Sequence, residues 1–182
     1  MEVLVVVDMQ NDFINGSLGT KEAEEIVHNV IGRVNYAGLI GELVVYTQDT
    51  HDEDYLKTQE GYYLPVFHCQ RATHGWELPE ELQESINAVP NMRIEKGTFG
   101  SFSIVDALKT FEKEEDFKIE GITVVGLCTD ICVITNALLL KTAFPEVVIH
   151  VEANCCAGTT PEKHKAALEV MKSCQIHVWE EK

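Results

Sequence analysis

VVGLCTDICVITNALLL, residues 124–140, carries an apolar run into Gly126, sets two cysteines four residues apart around Thr129 and Asp130, and then becomes apolar again. A β-rich run that gives way to a helical one within a few residues marks one half of a βαβ unit. Cys128 and Cys132 stand at that changeover. A nucleophile, a pair of metal ligands and two packing residues would each suit the position.

The same alternation extends outward in both directions. VLVVV at 3–7, LVVYT at 43–47, a short run at 92–95, ITVVG at 122–126, VVIHV at 147–151 and QIHVW at 175–179 read as six strands. Helical periodicity fills 21–37, 79–87, 103–115, 130–143 and 161–173, the last with Thr160 as its cap and Pro161 at its first position. Val- and Ile-rich strands separated by helices predict an α/β fold: a single-domain three-layer sandwich over residues 1–182, with a six-stranded, mostly parallel sheet and helices on both faces. The connection from 50 to 78 is longer than such units need, and long ordered loops tend to carry function.

Composition narrows the function classes. The 182 residues carry a net charge of −16, which excludes a nucleic-acid binder or a partner for anionic lipid. The acidic runs at 22–25, 52–54 and 112–116 read as solvated faces. No run reaches the ~20 apolar residues of a membrane helix. MEVLVVVD is too short and acidic for a secretory leader. The six cysteines then read as reduced thiols of a cytoplasmic protein. Cys174 and the Cys128 side chain read as small buried hydrophobes.

In open α/β sheets ligands gather at the carboxyl ends of the strands. Asp8 follows the first strand, Asp49 the second and Lys96 the third, while Cys132 heads the helix after the fourth. A carboxylate, an ammonium and a thiol at one sheet edge can perform acyl transfer. The cation and the helix start would lower the thiol pKa, Asp8 would accept and return the proton, and backbone N–H groups of the turn would hold an oxyanion. Asp49, His51 and the later His68 offer one carboxylate and two imidazoles, a donor set suited to zinc or another divalent transition metal. The other histidines read as structural or exposed, except His74, whose role is open, as is that of Cys69.

These residues resemble the isochorismatase-like cysteine hydrolases over nearly the whole length, and within them the nicotinamidase branch. DMQNDF at 8–13, KGTFGSF at 96–102, GLCTDICV at 126–133 and ANCCAGTTPEKH at 153–164 are similar to the family's segments. The resemblance implies Asp8, Lys96 and Cys132 as catalytic residues, with the attacking sulfur on Cys132. It also implies an oxyanion hole of the Cys128 and Cys132 backbone N–H groups, and a cis Leu127–Cys128 peptide. It further implies one divalent metal on Asp49, His51 and His68 (zinc, with iron or manganese as alternatives), and a substrate ring against Phe13. The implied reaction is hydrolysis of a small carboxamide, nicotinamide to nicotinate and ammonia, in pyridine nucleotide salvage by a homo-oligomer. A hydrolase of another amide or ureido compound, and a non-catalytic binding protein of the same fold, are the alternatives. One departure bears on the metal: where some nicotinamidases place a further histidine, this chain reads EDYLK at 53–57.

Overall fold

Strands as apolar as VLVVV persist only where both sheet faces are covered, and the fold supplies that cover. In a computed structural model, which describes residues 1–180, the elements run β1 (Glu2–Val7), α1 (Asn11–Ile14), α2 (Lys21–Ile40), β2 (Leu43–Asp49), α3 (Gln59–Tyr63), α4 (Glu80–Asn87) and β3 (Asn91–Lys96). They continue with α5 (Phe102–Glu115), β4 (Gly121–Leu127), α6 (Ile134–Ala143), β5 (Val148–Ala157), α7 (Pro161–Ser173) and β6 (His177–Trp179). The sheet order is β3-β2-β1-β4-β5-β6, and every pairing is parallel. Right-handed crossovers place α2 and α4 on one face and α5, α6 and α7 on the other. Every residue of β2 and of β4 is buried, as central strands require.

Chain direction across the sheet reverses between β1 and β4, which lie side by side. That junction is where α/β sheets leave a crevice beyond the strand ends. Asp8 lies one residue past β1, and Cys128 one residue past β4. The sheet order alone therefore brings the first and third motifs together.

The expected strands and helices all form, with shifted ends. The strand expected at 147–151 runs on to Ala157, its register slipping opposite Val124 and Gly126. Gly126 has a positive φ of 117°, and a Cβ there would sit 2.1 Å from the Val7 carbonyl oxygen, so the irregularity needs glycine. The helix expected at 130–143 opens as a π-helical turn over Thr129–Val133 before α6 begins. The run 175–179 pairs only from His177, because Gln175 turns with a positive φ of 63°. Thr160 caps α7 as expected, accepting from the Lys163 N–H, with Pro161 in the first turn. Among the described residues no helix is long and apolar enough to cross a membrane. Cys174 departs from expectation: it follows the last turn of α7 and is exposed rather than buried.

Candidate active site

At the crevice, the three motif residues meet. Lys96 Nζ lies 2.6 Å from Asp8 Oδ2, 3.6 Å from Cys132 Sγ and 3.3 Å from Asp49 Oδ1. All four side chains are buried. Asp8 adopts a positive φ of 48°, a strained backbone for a non-glycine residue, and it is held there by Thr47. The Thr47 hydroxyl accepts from the Asp8 N–H at 3.0 Å and donates to Asp8 Oδ1 at 2.6 Å. Gln10 does the same for Asp49: its Oε1 accepts from the Asp49 N–H at 2.7 Å, and its Nε2 donates to the Asp49 carbonyl at 2.8 Å. Neither Thr47 nor Gln10 stood out in the sequence, although Gln10 lies inside DMQNDF.

The Leu127–Cys128 peptide is cis, as the resemblance implied. The turn that follows is braced from three sides. Asn136 Nδ2 donates to the Cys132 carbonyl at 2.8 Å, and its Oδ1 accepts from the Ser101 N–H at 3.0 Å. Asp130 receives both the N–H and the hydroxyl of Thr159 at 2.7 Å. Thr129 Oγ1 and His164 Nδ1 lie 2.8 Å apart. A sulfur mounted this way has little freedom to wander, and orientation of that kind is a large part of what an active site supplies. His164 is thus a brace for the turn that carries Cys132.

Charge in this space runs against one expectation. Burial pushes the Cys132 thiol well above its ordinary pKa, and the Asp8 carboxylate adds to the rise. The Lys96 ammonium opposes but does not reverse it. Burial thus works against the lowering that the cation and the helix start suggested. Asp8 itself is raised, by burial first and by Asp49 next, against the pull of Lys96. Lys96 would lose charge to burial, but Asp8, Cys132 and Asp49 more than restore it, so its pKa rises. Cys128 also departs from the reading as simple packing. It is half-buried and lines the cavity, and burial pushes its thiol up to about 12.

Beside this trio stands a second group. Asp49, His51 and His68 converge as expected, and Glu60 joins them, with one donor atom from each lying within 4.8 Å of the others. His51 Nε2 is 2.8 Å from Asp49 Oδ2 and 3.8 Å from Glu60 Oε1; His68 Nε2 is 3.5 and 3.9 Å from the same two oxygens. His68 Nδ1 faces the Val66 carbonyl at 2.9 Å. A carbonyl only accepts, so Nδ1 carries a hydrogen and Nε2 is the nitrogen turned towards Asp49 and Glu60. Tyr55 packs against both imidazoles, at ring distances of 4.5 and 4.9 Å, and fixes their planes. Burial would raise the Asp49 pKa, but hydrogen bonds from His51 and His68 and the Lys96 charge hold it well below the usual carboxylate range. Glu60 is raised, by burial and by Asp49.

The donor set fits a divalent cation on two grounds. Two imidazole nitrogens and two carboxylate oxygens are the ligands borderline transition metals accept. The carboxyl groups of Asp8, Asp49 and Glu60 also face the single ammonium of Lys96, an imbalance that a bound cation would relieve. Glu60 was missed in the sequence because it lies nine positions beyond His51, in a long loop with no register to predict it. The nearest signal is Gly61: a Cβ there would fall 2.2 Å from the Tyr55 carbonyl oxygen, so the turn bearing Glu60 closes tightly.

A cavity of about 270 Å³ joins the two groups, walled by Phe13, Leu18, Phe99 and Ile131 and touching Cys128, Cys132, Asp49, Glu60 and His68. Phe13 lines this cavity, 5.5 Å ring to ring from His68. His74 is exposed and faces Glu77, away from this cavity, while Cys69 is buried behind it with a positive φ of 45°, its N–H held by Asp12 Oδ2 at 2.7 Å.

Comparison with known proteins shows the family and the fold. The family model described as the isochorismatase domain matches residues 2–181. A probable inactive nicotinamidase of Arabidopsis thaliana is 30% identical, over 98% of this chain and 94% of its own. The crystal structure of a Bacillus subtilis nicotinamidase is 27% identical with a TM-score of 0.81, covering 98% of this chain and 99% of its own. That of a Pyrococcus horikoshii pyrazinamidase in complex with zinc is 26% identical with a TM-score of 0.79, covering 99% of each.

Proposed function

The chain belongs to the isochorismatase family, and from that premise we propose that it is a metal-containing cysteine amidohydrolase that converts nicotinamide and water to nicotinate and ammonia. The observation that carries the reading is Lys96, whose ammonium touches Asp8, Cys132 and Asp49 at once and so couples the thiol and acid to the four-donor group. Asp49, His51, Glu60 and His68 would hold the metal, which supplies a Lewis-acid anchor for a ring nitrogen. Phe13 walls the ring.

The remaining chemistry belongs to the side chains. As the Cys132 sulfur attacks the carboxamide carbon, its proton passes to Asp8, so no resting thiolate is needed. The oxyanion falls to the backbone N–H groups of Cys128 and Cys132; removing one such donor typically costs ~3 kcal/mol. Asp8 then protonates the departing ammonia and leaves a thioester. A water molecule, deprotonated by Asp8, releases the acid and returns the proton to sulfur. Lys96 keeps Asp8 charged in a buried setting that would otherwise neutralise it.

The Arabidopsis relative favours a second reading, a binding protein without turnover. It predicts ring binding and no ammonia. A panel of nicotinamide, other carboxamides and ureido compounds, scored by ammonia release from zinc-, iron- and manganese-loaded protein, separates the readings. Release from nicotinamide above the others supports the proposal, and release only from another amide replaces the substrate.

A further inference from the structure

The cavity over Cys132 does not end at the ring. Beyond it lies a second hollow of about 650 Å³, and the two share Glu60, Leu64, Phe99 and Ile131 as walls. One side of the outer hollow is α3, which the Thr58 hydroxyl caps by accepting the Gly61 N–H at 3.0 Å, and which presents Tyr63. The facing side is the Gly97–Phe99 segment that leaves Lys96, tightened by the Thr98 hydroxyl donating to the Gly100 carbonyl at 2.7 Å. Ile131, next to the nucleophile, forms the floor. Tyr63 is 77% exposed and Phe99 48%, so both present apolar surface that nothing in the fold covers.

A single-ring carboxamide needs only the inner cavity. The two hollows together reach the size of pockets that enclose larger ligands. No lysine or arginine lines the outer one, and its only charged group besides the histidine is Glu60. A net charge of −16 adds to the bias. An anionic extension such as a phosphate would find no basic side chain there and would lie in the field of a strongly acidic chain. A neutral aromatic extension would pack between the Tyr63 and Phe99 rings.

We propose that this site takes aromatic carboxamides extended by a neutral apolar group, with Tyr63 a specificity-determining residue for the extension. The inference rests on the amidohydrolase reading above and names its substrate class more closely. The extension lies outside the reacting atoms, so the chemistry is the same: the C–N bond breaks, and an extended acid and ammonia leave.

The test compares nicotinamide, its 5- and 6-phenyl derivatives and a 5-carboxy derivative, using metal-loaded protein and Tyr63→Ala. At least one phenyl derivative should be hydrolysed with kcat/KM equal to or above that of nicotinamide, and the carboxy derivative at least 10-fold below it. Tyr63→Ala should lower kcat/KM for the phenyl derivative about 5- to 10-fold, chiefly through KM, and leave nicotinamide within about twofold. If nicotinamide is hydrolysed while the phenyl compounds are neither substrates nor competitors, the inference fails and the amidohydrolase reading stands. A carboxy derivative as good as the phenyl one, or equal losses for all substrates in Tyr63→Ala, also overturns it. Should no amide be hydrolysed, the reaction reading fails by itself. Calorimetric titration with the phenyl derivatives then decides the inference: binding weakened by Tyr63→Ala upholds it, and no binding ends it.

Discussion

The two halves of the site are built differently. Lys96 ends β3, Asp8 directly follows β1, and Cys132 sits on the π-helical turn that β4 feeds, where Asn136 holds its carbonyl. The metal-side group takes only Asp49 from the sheet. His51, Glu60 and His68 hang on the 50–78 connection, tied back by the His51–Gln70 bridge, by Asp12 on the Cys69 N–H, by Gln10 and Gln48 on the Trp76 carbonyl and by Tyr55. On the proposed reading, the parts of the first group should fail together and those of the second should be lost by degrees.

The largest effects should come from the sheet side. Cys132→Ala should lower kcat by at least ~10³-fold while nicotinamide still binds, as steady-state ammonia release and calorimetry would reveal. Asp8→Asn, which keeps the shape but cannot accept a proton, should cost ~10²–10⁴-fold. Lys96→Met should cost activity and stability together. It leaves Asp8 and Asp49 without their buried cation, and breaking such a pair typically costs ~3–5 kcal/mol in urea melts. A Lys96→Met protein as stable as the parent would dissolve the contrast between the halves.

On the loop side the changes should be smaller and fall on binding. His68→Ala should reduce metal content and raise KM for nicotinamide roughly 10- to 100-fold, with less change in kcat. Glu60→Gln should follow the same direction more weakly, since Glu60 is the outermost of the four and the most exposed. Chelation should reproduce the His68→Ala phenotype, and metal return should reverse it.

The halves should also separate by pH in chelated protein. Asp8 sits above the ordinary aspartate value of 3.8 when folded. Its contribution to stability is therefore full below that value and is lost as pH rises through the folded pKa. Asp49 sits far below 3.8. Its contribution is full above that value and is lost as pH falls towards the folded pKa. Urea melts of Asp49→Asn should lack the acid-side loss, and those of Asp8→Asn should lack the fall above pH 4. Activity has its own sign: the base must be deprotonated, so the acid limb of kcat/KM should lie above the range of a solvent-exposed carboxylate.

What the sequence made legible follows the same division. Period-two and apolar runs report sheet and helix, and a parallel sheet brings strand-end residues to one edge, so Asp8, Asp49, Lys96 and Cys132 could be placed in one crevice from their positions alone. Residues on a long connection have no such register. His51 and His68 were found by ligand chemistry and family resemblance, while Glu60 passed unnoticed among the exposed acids of that loop. The braces Thr47, Gln10, Asn136 and His164 were invisible for another reason: their roles are hydrogen bonds between distant segments, which spacing does not encode. The upward push of burial on the thiol was not legible because a charge nearby is readable in sequence and the depth of burial is not.

The central claim is that Cys132 attacks the carboxamide with Asp8 taking its proton. Rapid-quench mass spectrometry of metal-loaded protein mixed with nicotinamide tests it most directly. The account predicts a transient nicotinoyl adduct on the peptide carrying Cys132, formed as ammonia appears and absent in Cys132→Ala. Ammonia release at the parent rate from Cys132→Ala, or an acyl group on any other residue, would contradict it.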